Sequence, residues 1–584
     1  MSLIDSIVES TDVPPQTVEM TIIAQDPTVK GEDGRILRAK VRVPAARLEP
    51  GPRSARFHVI DYDSTESVLA PPADLTDIGT DQATTGRYVD RFADAPDKAL
   101  LADPAFHAQQ VYAVAARTLA VFENALGRRL SWGFLGHQLH IVPHAFAEAN
   151  AYYSDDDRAV LFGYIPMGSK GKTRVYTCLS HDVVAHETAH AVLDGLRHRF
   201  LEPGLPDQAA FHEALADLVA LLSVFSLAEV VEPLLGPATD GRLPGKAVQP
   251  KALRKNALFG VAEQMGQVLT QGRGALRQSG TRTAGDEWLS DLAFEEPHLR
   301  GEILVAIVVE VLVDMWFERL DALIHAGFID RARAAEEGAK AANHLLTMVL
   351  RAIDYLPPVE FEYADFLDAI VTSDKEVAPD DRHDYRGKLV AAFGSFGIKP
   401  SLGGRVIDLT GGGFVPLYHG LNFGALRTDP DEVYRFLWEN ARALGVDTTY
   451  YTHVEAVRPS VRVGPDGLVV NEAVADYVQM LELEAHEFAG LAGVDPSMLP
   501  DGVAPDTKLQ LLGGGTLIFD QFGRAKYHVS KPLHDWARQV RRLDYLARAG
   551  FVDTKGRLGF SISAPAGQRF AELHDPAGRA GEVW

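Results

Sequence analysis

The pentapeptide His186-Glu187-Thr188-Ala189-His190 constrains this 584-residue chain more than any other stretch. Positions i and i+4 share one face of a helix, so the two imidazoles can reach one ion only if the segment is helical. Its apolar surroundings, Val183, Val184, Ala185, Ala191 and Val192, predict a helix starting at His181 or Asp182 and running to Leu196. A second signal follows in Ala210-Phe211-His212-Glu213-Ala214-Leu215-Ala216-Asp217, where Glu213 and Asp217 stand four apart among alanine, leucine and phenylalanine. Acids on such a helix are poorly explained by a solvated face. Two neutral imidazoles and one carboxylate suit zinc and leave a coordination position open for water. A second carboxylate one turn on can hold the N–H of a ligand histidine. Glu187 then lies beside the open position, where it can take a proton from water.

The rest of the chain divides into four regions by pattern. Residues 1–103 read as β-rich, with strand signals at Val18–Ala24, Ile36–Val43 and Arg56–Tyr62 punctuated by Gly and Pro. Residues 104–210 open with a helical run at Ala105–Arg129 and continue with short strands at Leu139–Val142, Ala151–Tyr153 and Val160–Ile165 before the His186 helix. Residues 211–400 are helical, with apolar-periodic runs at Phe211–Val231, Leu299–Ala326, Ala332–Tyr355 and Tyr363–Val371. Residues 401–584 are mixed: helices at Pro430–Leu444 and Pro532–Ala549, strands at Thr452–Val463 and Val469–Val470, and a hairpin at Thr516–Val529. Asp155-Asp156-Asp157 reads as a solvated hairpin turn, and Gly513-Gly514-Gly515-Thr516 as a turn leading into the later hairpin. The expected fold class is therefore α+β.

With these residues in view, the chain resembles the thermolysin family, the neutral metalloendopeptidases among the gluzincins, over roughly residues 104–400. Asp182 to His190, with Ala191, Val192 and Asp194, looks like that family's active-site helix. His212-Glu213-Ala214-Leu215-Ala216-Asp217 resembles its N-E-A-x-x-D helix, with His212 in place of asparagine. Asn150-Ala151-Tyr152-Tyr153 resembles the edge strand that pairs with substrate backbone. The resemblance implies a two-lobed core with a β-rich upper and a mostly α-helical lower lobe, flanked here by a β-rich N-terminal extension and an α+β C-terminal domain. It implies that His186, His190 and Glu213 bind one catalytic zinc ion and that Glu187 is general base and proton shuttle. Asp217 would orient His186, Asp194 would be a further supporting acid, and Asn150 and Ala151 would bind the peptide backbone. His298, in Pro297-His298-Leu299-Arg300-Gly301 ahead of a long apolar helix, is the implied oxyanion donor, with a structural or surface histidine as the alternative. Arg277 resembles a substrate-carbonyl arginine, and a solvated arginine is the equal alternative.

There are departures. The family's tyrosine after the second histidine has no counterpart, since Leu201 falls there, and His198 is a candidate replacement donor. Val224 and Phe225 occupy the region of an acid-rich calcium site, so calcium is not counted among the expected cofactors although Asp182 is kept. The implied activity is zinc-dependent cleavage of internal peptide bonds, with a peptide or protein substrate and a possible specific target or regulator engaged through the terminal regions. The absence of a G-x-M-E-N element argues against the aminopeptidase branch. The alternative from another class is a catalytically silent zinc-binding scaffold of the same fold.

Composition sets the outer bounds. With 57 Lys+Arg against 80 Asp+Glu the net charge is −23, which argues against a nucleic-acid-binding surface. One cysteine, Cys178, allows no intramolecular disulfide and is expected as a small buried side chain. The first ten residues carry acids where a secretory leader needs basic and then apolar residues, so a cytoplasmic location is expected. Ile303–Phe317 is interrupted by Glu310 and Asp314, so no membrane span is expected there. His181 and His212 adjoin the candidate site. His419, His453, His486 and His528 lack metal-like spacing.

Overall fold

A computed structural model describes residues 17–31, 33–44, 48–76, 88–167, 173–202, 204–254, 282, 284–400, 406–409, 416–464, 467–493, 495, 499–500, 503–551 and 556–559. The chain is mixed α+β. Strands β1 (Thr17–Ile23) and β2 (Arg38–Pro44) pair antiparallel. In β2 the apolar Ala39, Val41 and Val43 turn inward while Lys40 and Arg42 face out, the period expected of a strand with one buried face. The next sheet holds β3 (Phe57–Val59), β4 (Leu139–Phe146), β5 (Ala151–Ser154), β6 (Ala159–Met167) and β7 (Thr173–Tyr176). Its order is β3-β4-β6-β5, and β7 pairs with the far end of β6. The β3–β4 and β4–β6 pairs are parallel, while β5 runs antiparallel to β6 as the edge strand. The Asp155–Arg158 turn joins β5 to β6, as its three acids predict, with Arg158 at φ +55°.

Helix α1 (Pro104–Leu126) starts with Asp103 accepting from the Ala105 N–H and Pro104 in the first turn, and stops at Gly127 in the left-handed conformation. Its Gln110 side chain accepts from Ile23 N–H at 2.8 Å and donates to Ile23 C=O at 3.1 Å. An amide thus stands in for a missing strand neighbour of β1, and the hairpin shares one apolar core with the helices from Met20 through Ile398. The helical layer comprises α2 (His181–Leu196), α3 (Pro206–Phe225), α4 (Pro297–Asp321), α5 (Arg331–Ala352), α6 (Tyr363–Val377) and α7 (Tyr385–Ser395). The expected run to Val231 is interrupted at Ser226 and Leu227, after which a separate helix spans Ala228–Leu234. Among the described residues the one helix long and apolar enough to cross a membrane is α3, not the Ile303–Phe317 segment, and 89% of its apolar window is buried inside the fold.

The last part of the chain carries β8 (Val406–Asp408), α8 (Pro430–Leu444), β9 (Tyr451–Val463), β10 (Val469–Glu484), α9 (Ala485–Ala492), β11 (Lys508–Phe519), β12 (Ala525–Lys531) and α10 (Trp536–Arg548). The strands form one antiparallel sheet in the order β8-β12-β11-β10-β9. Two expectations are corrected here. The strand signal at Val469–Val470 is the start of a strand that runs on to Glu484, and Gly513–Thr516 lies inside β11 instead of forming a turn. Close approach explains the glycines: a Cβ on Gly513 would lie 2.7 Å from the Leu533 nitrogen, and one on Gly514 would lie 2.4 Å from the Tyr477 carbonyl oxygen.

The sheet meets the helical layer through buried ion pairs. Arg128 bonds both oxygens of Asp354 at 2.6 and 2.8 Å, Arg462 joins Asp354 at 2.8 Å to Glu472 at 2.9 Å, and Asp476 receives Arg197 and Arg458.

Candidate metal centre

Helix α2 is buried along nearly its whole length, so its polar residues are there for a reason other than solvation. Its first turn is fastened to the end of β1. The His181 N–H donates to Gln25 C=O at 2.7 Å, and His181 Nδ1 lies 2.9 Å from Ala24 C=O. At the other end Gly195 lets the backbone of Ser131 cross the last turn, since a Cβ there would lie 2.1 Å from the Ser131 carbonyl oxygen. Between these anchors His186, Glu187 and His190 are all buried. The neighbouring α3 supplies His212, Glu213 and Asp217, and α4 supplies His298.

Among the described residues His186, His190 and Glu213 form a group whose ligand atoms all lie within 4.8 Å of one another. The two Nε2 atoms are 2.9 Å apart, and Glu213 oxygens lie 3.6 Å from His186 Nε2 and 3.5 Å from His190 Nε2. Three atoms held about 2.1 Å from a tetrahedral ion are separated by about 3.4 Å, close to these gaps. The outer nitrogens are also engaged. His186 Nδ1 lies 2.9 Å from Asp217 Oδ1, and a carboxylate at that distance favours the tautomer with the proton on Nδ1 and a lone pair on Nε2. His190 Nδ1 lies 2.8 Å from His212 Nδ1, with the two rings stacked at 4.9 Å. With the His190 proton donated to His212, two lone pairs face each other beside a carboxylate. A borderline-soft divalent cation fits that donor set.

The other expected residues fall as follows. His298 Nε2 lies 3.9 Å from Glu213 Oε2, which brings it to the group, and its Nδ1 is held 2.8 Å from Glu296 Oε1. Burial alone would raise the Glu296 carboxyl, but His298 and the Leu299 N–H outweigh that and hold it below its ordinary value. Asp194 is buried and bridges the Tyr153 hydroxyl and His198 Nδ1, each at 2.9 Å. Its carboxylate raises the His198 imidazole above its ordinary value. Leu201 packs against the main core. Arg277 lies outside the described residues.

Strand β5 lies at the end of its sheet, paired on one side with β6. The Gly163 N–H donates to Asn150 C=O at 2.8 Å, which makes Asn150–Gly163 a hydrogen-bonded pair and Ala151–Phe162 the next, non-bonded one. The N–H and C=O of Ala151 therefore point away from β6. The Ala151 N–H is taken by the Asn150 side-chain oxygen at 2.8 Å.

Sequence reasoning did not single out Glu302 and Arg282. Glu302 is buried on α4 and pairs with Arg282 at 2.6 Å, and burial pushes its carboxyl up to about 7, with Asp217 and Glu296 adding to the rise against the Arg282 charge. An acid at the head of the apolar run Ile303–Val309 is the signal that could have found it, the same signal that marked Glu213. Nothing around Arg282 distinguishes it in sequence. No protein-family model matches this chain, and no curated protein matches it.

Proposed function

We propose that the chain is a zinc-dependent endopeptidase built on a thermolysin-like two-lobed core. The observation that carries the reading is the convergence of His186 Nε2, His190 Nε2 and the Glu213 carboxylate, with Glu187 buried on the same helix and Asp217 behind His186. His186, His190 and Glu213 would hold the ion, which when bound supplies a Lewis acid for a scissile carbonyl and makes water more acidic. An extended peptide would add to the sheet at β5, against the outward groups of Ala151 and the Asn150 amide. Glu187 takes the proton of the attacking water and delivers it to the departing amine nitrogen. His298, with its Nδ1–H on Glu296, would present an Nε2–H to the developing oxyanion only as the doubly protonated imidazolium, the form that the Glu296 carboxylate favours. Asp217 and His212 keep both ligand imidazoles in the tautomer with Nε2 free. The terminal regions are candidates for restricting the enzyme to one target protein.

A second reading, a zinc-binding scaffold without catalysis, is favoured by Leu201 in the place of a tyrosine donor and by the Ala151 N–H being engaged within the chain. Zinc content and cleavage of unfolded casein by the purified chain and by Glu187→Gln separate the two. The enzyme reading expects about 10²–10⁴-fold loss of cleavage in Glu187→Gln with zinc retained. Zinc bound equally by both, with no Glu187-dependent cleavage of any peptide in a broad library, establishes the scaffold.

A further inference from the structure

A second group of buried ligand side chains shares no residue with the His186–His190–Glu213 group. His107 on α1, His144 on β4 and Cys178 on the turn before α2 have ligand atoms within 4.8 Å of one another. The tautomers follow from the neighbours. His144 Nδ1 is 2.9 Å from Asp61 Oδ1, and a carboxylate accepts, so the proton sits on Nδ1 and Nε2 is a lone pair. His107 Nε2 is 3.2 Å from Leu101 C=O, and a carbonyl only accepts, so here the proton sits on Nε2 and Nδ1 is a lone pair. These two lone-pair nitrogens, His107 Nδ1 and His144 Nε2, stand 2.8 Å apart.

Two acceptors at that distance repel unless a cation lies between them, either a proton or a metal. A shared proton needs no third ligand. Here the Cys178 sulfur, fully buried, lies within 4.8 Å of both nitrogens, and with its proton displaced by a metal it makes a thiolate with two imidazoles, the donor set of a borderline-soft metal. The ring of Tyr176 walls the cluster, 4.7 and 4.8 Å from the two imidazoles. The His186–His190 pair has the same construction: two ring nitrogens 2.9 Å apart, with the outer nitrogens held by Asp217 and His212.

We infer that His107 Nδ1, His144 Nε2 and Cys178 Sγ bind a second transition-metal ion of the zinc class, with Asp61 orienting His144. Calcium and magnesium are excluded by the nitrogen and sulfur donors. The ion ties α1, β4 and the turn that enters α2 at one point, and so steadies the helix that carries His186 and Glu187. This site stands independently of the peptidase reading.

The single cysteine makes the test direct. The full chain, stripped with a chelator and reloaded with Co²⁺ under reducing conditions, is expected to show a near-ultraviolet thiolate-to-cobalt charge-transfer band, which only Cys178 can supply. The band is expected to vanish in Cys178→Ser and in His144→Ala and to persist in Glu213→Gln. Zinc content by mass spectrometry falls by about one ion per chain in the first two variants. A wild-type cobalt form without the band, its thiol titrating as reduced, overturns the inference and leaves a proton shared between the imidazoles. A band that survives in His107→Ala/His144→Ala overturns it as well, since cobalt would then sit on the thiol alone. The wild-type spectrum decides even where a variant fails to fold. An active chain lacking the band, or an inactive one showing it, separates this inference from the peptidase reading.

Discussion

His212 shows at the scale of one residue what the sequence disclosed and what it withheld. The candidate metal group is legible because spacing alone puts His186 and His190 on one face, and because an acid in an apolar helix calls for a partner. His212 was visible only as a histidine adjoining Glu213. Its task depends on the approach of α2 to α3, which sets its Nδ1 2.8 Å from His190 Nδ1. Asp217 does the same for His186 from one turn further along. The two supports are therefore equivalent in kind, and removing either should weaken zinc affinity about 10–100-fold. We expect that loss in Asp217→Ala and His212→Ala by competition against a chromophoric chelator. His212→Asn, which keeps a side-chain acceptor for the His190 N–H, should retain most of the affinity. Equal losses in His212→Ala and His212→Asn would show that packing, not the hydrogen bond, is what His212 supplies. Glu302 carries the same signal as Glu213, an acid beside an apolar run, but its neighbours Asp217 and Arg282 come from distant parts of the chain and are not visible in sequence.

Elements with a clean period were readable, and those whose surroundings erase the period were not. The helices at Pro104–Leu126, Pro430–Leu444 and Trp536–Arg548 follow their apolar spacing, the first stopping at Gly127 short of the expected Arg129 and the last starting after the Asp535 cap, past the expected Pro532. The β5–β6 hairpin follows its acidic turn. Strand β10 was cut short because its middle, Glu472–Gln479, is buried on both faces and so lacks the alternation of a half-exposed strand. It also carries Glu472 and Asp476, which read as turn or surface residues until the arginines that pair with them are seen. The glycines of β11 were misread for the same reason, since a triple glycine marks a turn unless another backbone presses against it. Gly514 sits at φ +151° with no room for a Cβ beside Tyr477. Gly514→Ala should therefore cost about 2–4 kcal/mol by urea denaturation, far more than the usual propensity difference. A loss under about 1 kcal/mol would mean that β11 shifts its register at little cost. At β5 the prediction concerns function. Ala151→Pro removes an outward N–H that the sheet does not use, so it should leave zinc content intact and raise KM for peptides by about tenfold or more. An unchanged KM would remove β5 from the substrate path.

At the scale of the whole molecule, the C-terminal sheet is joined to the helical layer by charge as well as by apolar contact. Arg197, the residue that ends α2, donates to Ile353 C=O at 2.7 Å and pairs with Asp476 of β10, so the helix that carries His186 and His190 and the sheet meet at one side chain. Beside it Asp354 is bonded by Arg128 and Arg462. Sequence could not show this network, because its members span Arg128 to Lys526 and each alone resembles surface charge. Burial by itself would raise the Asp354 and Asp476 carboxyls, but the arginines around each outweigh it and hold both below the ordinary aspartate value in the folded chain. The sign of the pH dependence follows. An unfolded aspartate titrates near about 3.9, so above that pH both carboxylates contribute their full stability. As pH falls below it, the unfolded chain takes up protons first, and the contribution is lost progressively down to the lowered folded values. Asp354→Asn should therefore lower stability at neutral pH by about 3–5 kcal/mol, because Arg128 loses the carboxylate it pairs with and Arg462 keeps only Glu472. The difference between wild type and Asp354→Asn should shrink as urea midpoints are followed from pH 7 down through the acid range. A gap that stays constant with pH would mean that Asp354 contributes through packing and not through its charge.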